Sequence, residues 1–382
     1  MLSCGEASGD LYAGALTRSL ERQAASTGLG RVDVFGFGGA QLRDAGADVV
    51  GDYRGFAVTG LTEALSVVRR SWAMLGTLTE TARARRPDVF VAIDFPDFNF
   101  RLLPRMKSLG IPIVYYISPQ LWAWRPGRLK TIKQYVDRML VIFPFEESIY
   151  RDAGIPVTFV GHPLIDLAVP QRSREATCLA AGLDPSKPVV ALLPGSRPNE
   201  VGLLMSVLAD AARQVATSVP GVQFLVARAP SLDDHLFAPL ESLRPSGVPV
   251  GLLADAADDV LAAADVVITA SGTATVQTAL HGKPMVIVYR VSPLTYAIGK
   301  RVVKLPHYGM VNLVAGRSIV TELIQDDCTP ARVGEETRGL LTDTGRAGQM
   351  RNDLADVVRR LGGPGASDRA AQAVLDVVGK RP

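Results

Sequence analysis

The sequence predicts an α/β protein made of two doubly wound domains. Three observations carry that expectation. Short apolar, β-branched runs of strand length recur along the chain, and most are followed by residues at helical spacing. Two of the strand-to-helix junctions are glycine turns, Leu193-Pro194-Gly195-Ser196-Arg197-Pro198-Asn199-Glu200 and Ala270-Ser271-Gly272-Thr273-Ala274. The chain has 382 residues, more than one hydrophobic core usually serves, so two domains of roughly 150 to 200 residues are expected.

Taken in order, Met1-Leu2-Ser3-Cys4 reads as a first strand, although a parallel strand is usually five or six residues long. The chain therefore either starts inside that strand or lacks a few residues at its start. Gly5 to Asp10 is a turn opening a helix from Leu11 to Glu21, and Glu6, Ser8 and Asp10 place polar groups at a strand's C-terminal end, with Ser8 or Asp10 suited to capping. Val32 to Gly36 is the next strand. The glycines that follow it lack the acidic partner of a dinucleotide fingerprint.

After Gly55 to Gly60, a helix aligns Leu61, Leu65, Val68, Trp72 and Leu75 on one stripe with Arg69 and Arg70 beside it, and Phe56 precedes it. Such a stripe suits either core packing or contact with an anionic membrane surface. Pro87 to Ile93 is a buried strand ending at Asp94-Phe95-Pro96-Asp97-Phe98-Asn99. A carboxylate at that lip, flanked by Phe95 and Phe98, could be partly desolvated and act as a general base, or could simply hold the turn. Ile111 to Ile117 is a strand, followed by an aromatic and basic stretch with Trp122, Trp124 and Arg125 that suits a phosphorylated sugar or a lipid headgroup. Strands at 136–143 and 157–160 complete a first domain over 1–160, and His162 at the crossover suits either a ligand contact or a structural role.

The second domain, 161–350, repeats the rhythm with strands at 188–193, 222–226, 249–253, 265–269 and 284–289. At its two glycine turns, backbone N–H groups, helix N-termini and Arg197 converge as an anion site requires. The segment Tyr296 to Val303, with Arg301 and Lys304, is a second surface candidate, and His307, Asn312 and Arg317 follow it. A helical segment, 351–382, could pack on either domain.

Composition narrows the chemistry. Charges nearly cancel, 41 basic against 38 acidic, which argues against a dedicated nucleic-acid binder. Three dispersed cysteines suggest neither a disulfide framework nor a zinc cluster. No run of eighteen apolar residues spans a bilayer. Metal-binding and P-loop signatures are missing from the sequence, which leaves a reaction needing a base, a phosphorylated leaving group and dipoles to hold it.

The motifs at 5–10, 93–99, 116–125, 159–162, 192–197, 271–274 and 312–317, in that order, make the chain resemble the lipid-A-disaccharide synthase family over essentially its whole length. The resemblance implies the GT-B fold, two Rossmann-like domains facing across a cleft. It implies a metal-independent glycosyltransferase of lipid A biosynthesis; attack by the acceptor hydroxyl from the face opposite UDP would make it inverting, and no cofactor is expected. Its substrates would be UDP-2,3-diacylglucosamine and 2,3-diacylglucosamine 1-phosphate, joined β(1→6) with release of UDP, by an enzyme held peripherally on the cytoplasmic side of the inner membrane. A second copy of the chain is left open as a partner. Asp94, Arg197 and Asn312 match the positions most tied to activity in the family, and Glu6 is the further catalytic candidate. Gly195, Ser196, Ser271, Gly272, Thr273, Gln277 and Arg317 are the expected nucleotide-binding set. Gln277 departs from the glutamate common at that position: a glutamate accepts both ribose hydroxyls, whereas an amide accepts through its oxygen alone, so nucleotide affinity is in question. A UDP-N-acetylglucosamine 2-epimerase-like enzyme and a non-catalytic nucleotide-sugar or lipid-binding protein are the alternatives. Neither explains both the membrane-like stripe and a desolvated Asp94.

Overall fold

The computed structural model describes residues 1–28, 30–56, 61–120, 127–230, 232–292, 296 and 306–379, and for 55, 56 and 61–67 the backbone alone. The chain divides into two compact units, Met1–Pro163 with Leu361–Pro382, and Leu164–Arg360.

The first unit is a sheet of seven parallel strands: β1 (Leu2–Ser3), β2 (Phe35–Gly38), β3 (Asp48–Asp52), β4 (Phe90–Ile93), β5 (Ile113–Tyr116), β6 (Arg138–Val141) and β7 (Val157–Phe159). Their spatial order is β3-β2-β1-β4-β5-β6-β7. β1, only two residues long, pairs Leu2 with both Gly36 and Val91 and so occupies the sheet's centre. Central strands are covered on both faces and read as continuous apolar runs rather than alternating ones. Phe90 to Ile93 and Ile113 to Tyr116 are buried throughout. Edge strand β3 carries Asp48 and Asp52 at its ends and is only partly covered, which is why no apolar run announces it.

The second unit has six parallel strands: β8 (Val189–Leu193), β9 (Gln223–Arg228), β10 (Val250–Ala254), β11 (Val266–Ala270), β12 (Met285–Tyr289) and β13 (Thr321–Ile324), in the order β10-β9-β8-β11-β12-β13. β8 and β11 are fully buried and register Leu193 against Thr269. In both units the strand order reverses beside the first strand, at β1/β4 and at β8/β11. That is the switch point at whose C-terminal end open α/β sheets bind ligands.

The C-terminal region divides differently from the separate 351–382 segment expected. Residues 351–360 continue helix Thr344–Arg360 of the second unit, and the chain after Leu361 belongs to the first. Helix Ala366–Val378 packs on helix Ala7–Thr27, and Arg22 meets Asp368 at 2.7 Å. Arg369 donates to the carbonyls of Val160, Gly363 and Pro364. Gly161 has a φ of +83°, and a Cβ there would lie 2.7 Å from the Arg369 guanidinium.

Candidate active site

In the first unit, the turn after β1 and the turn after β4 lie side by side at the switch point. Gly5 faces the ring of Phe95 so closely that a Cβ would come within 2.1 Å of it, so no other residue fits there. Asp94 and Phe95 both adopt left-handed backbone, φ 44° and 49°, a costly conformation for residues with side chains. Three bonds hold it. The N–H of Asp94 donates to Tyr116 at 3.1 Å, and its carbonyl accepts from Asn99 Nδ2 and from the Tyr115 hydroxyl, each at 2.8 Å. Asn99, fully buried, also accepts the Ser3 hydroxyl at 2.7 Å, which ties the end of β1 to the end of β4.

Phe95 and Phe98 do more than flank Asp94. They stack on one another at 5.3 Å, and Phe98 stacks on Phe37 at 5.1 Å, forming an apolar wall under the lip. The Tyr12 phenol is pushed up by burial, then by neighbouring Tyr116 and by the charge of Asp94, so it remains protonated close to that carboxylate. Glu6, at the N-cap position of helix Ala7–Thr27, is exposed and makes no capping bond. Asp10 is not available as a base. Buried, it accepts from the N–H groups of Gly39, Gln41 and Leu42 and caps helix Ala40–Asp44 rather than its own. His162 lies in the core with Tyr12 and Phe143 around it, and burial holds its imidazole down at about 3, which leaves it neutral and structural.

In the second unit the two glycine turns adjoin. Gly195 has a φ of +117°, and a Cβ there would lie 2.7 Å from Glu200 Oε2 and 3.7 Å from Ala270. Gly272 has a φ of +142° and open space where a side chain would stand. Ser196 and Thr273 are exposed beside them. Thr273 opens helix Thr273–Leu280, so its N–H has no acceptor within the helix. Arg197, at the head of helix Pro198–Ser218, holds Glu200 at 3.2 Å with its side chain 59% exposed. N–H groups, a helix N-terminus and a guanidinium are the groups that an anion site draws on.

Asn312 and three of the expected nucleotide ligands, Arg317, Gln277 and Ser271, have partners within the protein. Asn312 is fully buried. Its amide nitrogen donates to the Val320 carbonyl at 2.9 Å and to Glu322 at 2.7 Å, while its oxygen accepts from Ile319 and Val320. Its functional groups are thus spent inside the protein, and direct contact with a diphosphate is not what this geometry offers. Arg317 pairs with Asp353 at 2.7 Å, just beyond the C-terminal end of helix Met310–Ala315. Gln277 uses its nitrogen rather than its oxygen, donating to Asp258 at 3.1 Å, where His281 also binds at 2.9 Å. Ser271 is at the turn but its hydroxyl donates to the Tyr308 carbonyl at 3.0 Å.

The apolar stripe splits along its length. Leu75 is core, whereas Val68 and Trp72 are 53% and 54% exposed. Arg69 and Arg70 are exposed beside them, and the guanidiniums of Arg101 and Arg105 stand 5.8 and 6.0 Å from the Trp72 ring. The side chains of Phe56, Leu61 and Leu65, the stretch Trp122 to Arg125, and residues 297–304 lie outside the described residues. No helix among the described residues is long and apolar enough to cross a membrane, and none of their His, Cys, Asp and Glu side chains cluster as a metal site.

Comparison with known proteins matches residues 1–377 to the family model described as lipid-A-disaccharide synthetase. Lipid-A-disaccharide synthase of Geobacter sulfurreducens is 43% identical over 381 residues, covering 100% of this chain and 97% of the relative. The Geobacter metallireducens enzyme is 43% identical over 384 residues with the same coverage, 100% and 97%. Among solved structures, UDP-GlcNAc 2-epimerase from Neisseria meningitidis bound to UDP-GlcNAc superposes with a TM-score of 0.63 over 88% of each chain. At 13% identity that likeness speaks for the fold alone.

Proposed function

The chain belongs to the lipid-A-disaccharide synthetase family, and from that premise we propose that it condenses UDP-2,3-diacylglucosamine with 2,3-diacylglucosamine 1-phosphate. It is a glycosyltransferase, and the full-length identity favours transfer over epimerisation. An acceptor hydroxyl oxygen attacks the anomeric carbon of the donor from the face opposite UDP, a C–O bond forms, and the bond to the β-phosphate oxygen breaks. The hydroxyl proton goes to a base, the bonding pair leaves with UDP, and the configuration inverts.

The observation that carries this chemistry is the pinned left-handed backbone at Asp94, held through its own carbonyl by Asn99 and Tyr115. A side chain held by such strain is preorganised, which suits a base that must meet one hydroxyl. Asp94 is the proposed base, and Glu6, at the neighbouring turn, is the proposed second acidic group. Arg197 and the N–H groups at Gly195, Ser196, Gly272 and Thr273 are the proposed cradle for charge building on the leaving diphosphate. This division of labour needs no metal ion.

Exposed Val68 and Trp72, ringed by Arg69, Arg70, Arg101 and Arg105, support a peripheral membrane contact. An enzyme on the cytoplasmic face of the inner membrane would take sugar heads while the acyl chains stay largely in the bilayer. The direct test incubates the purified chain with both acylated substrates and follows UDP release and disaccharide mass. Release of UDP without disaccharide, or an epimerised free sugar, would overturn the reading.

A further inference from the structure

Behind the turn at Ser271 lies a hydrogen-bonded clamp that the roles above do not use. Glu322, in β13, accepts the N–H of Tyr308 on Oε2 at 2.8 Å, and on Oε1 the N–H of Gly309 at 2.9 Å and Asn312 Nδ2 at 2.7 Å. The Tyr308 carbonyl, in the same peptide unit as the Gly309 N–H, accepts the Ser271 hydroxyl. We propose that Glu322 is a positioning residue for nucleotide binding: it fixes residues 308–309, and through the Tyr308 carbonyl it fixes the turn 271–273. The inference rests on the reading that this turn receives the diphosphate.

The geometry explains why a carboxylate is needed. Three N–H donors converge on two oxygens, and only an ionised carboxylate supplies that many acceptor sites without a donor of its own. Its base is rigid, because β13 pairs with β12 and sets Glu322 opposite Ile287. There is no slack at the clamped end either. A Cβ on Gly309 would lie 2.4 Å from Ile287 Cδ1 and 3.1 Å from Glu322 Oε1. A buried Asn312 then acts on the nucleotide site without touching it, by holding Glu322 and closing the loop at Ile319 and Val320.

Glu322→Gln keeps the shape but turns one acceptor into a donor facing an N–H group. Binding of UDP, measured by calorimetry, is expected to weaken about tenfold in Glu322→Gln and in Ser271→Ala. In the double variant it should be no weaker than in the worse single one, since both changes break the same chain of contacts. The KM for the UDP-sugar should rise with that for the acceptor unchanged, a split that general loss of stability does not produce. In the parent, saturating UDP should slow amide hydrogen exchange at Tyr308 and Gly309, a readout that does not depend on any variant folding. Equal UDP affinity in a folded Glu322→Gln, additive losses in the double variant, or unchanged exchange in the parent overturns the positioning role. A parent that does not bind UDP overturns instead the nucleotide reading of the turn, and the positioning role with it.

Discussion

Asn99 donates from Nδ2 to the carbonyl oxygen of Asp94 at 2.8 Å while its own oxygen accepts the Ser3 hydroxyl at 2.7 Å. One buried amide thus joins the two strand ends at the first unit's switch point and holds the backbone from which the proposed base projects. Removing the base and removing its support should differ in kind. Asp94→Asn is expected to lower turnover by roughly 100-fold or more with little change in melting temperature. Asn99→Ala should lower both, because it leaves buried partners unpaired, at about 1 to 3 kcal/mol for each group. Near-normal turnover in Asp94→Asn would move the base to Glu6.

Arg197 spends its charge on Glu200 at 3.2 Å, a pair three residues apart at the head of a helix in which the arginine is largely exposed. Pairs of that kind contribute at most about 1 kcal/mol, so a diphosphate can recruit the guanidinium at small cost. Arg197→Ala is expected to weaken UDP binding by about tenfold or more while chelators leave turnover unchanged. Activity lost in EDTA and restored by Mg²⁺ would sink the metal-free cradle.

Much of this was legible in the chain because it is local. Gly195 and Gly272 mark turns whose backbone needs positive φ, and apolar runs mark β4, β5, β8 and β11. What escaped depends on partners far apart in sequence. Asn99 stands in the Asp94 motif, yet nothing in its neighbours says that it bonds Ser3, and Glu322 looks like an ordinary edge-strand acid until β13 is set beside Ile287. β3 is not announced because only Val49 and Val50 are apolar between its two terminal acids. The tail could not be assigned from faces of mixed charge; the Arg369 bonds to Val160, Gly363 and Pro364 decide it.

His162 supplies a pH dependence whose sign follows from burial. Its imidazole sits at about 3 in the folded chain against 6.5 ordinarily, so below the ordinary value the unfolded chain binds a proton that the folded one refuses. Its contribution is complete above that value and is lost as pH falls through the window toward 3. By pH 5 the loss amounts to about 2 kcal/mol. Urea unfolding of the parent and of His162→Leu at pH 7.5 and 5 should show the gap between them shifting in the variant's favour by about that amount. An unchanged gap would mean that the histidine is protonated in the fold.

The membrane contact gives the last expectation. Each CH₂ of an acyl chain drawn from lipid into water costs about 0.8 kcal/mol, so an enzyme acting on acylated sugars is best served by sitting on the bilayer. The overall charge of +3 is too small to bring it there, and attraction must be local. Val68 and Trp72 are the exposed large apolar side chains of helix Leu61–Arg85 among the described residues, and four arginines lie around them. Each arginine near an anionic surface contributes about 1 kcal/mol, an attraction that salt screens. The parent should therefore float with vesicles containing anionic lipid and float less at high salt. Val68→Glu with Trp72→Glu should abolish flotation while circular dichroism is unchanged, since both positions already face solvent. If the folded double variant floats and turns over acylated substrate as the parent does, this helix face is not the membrane contact.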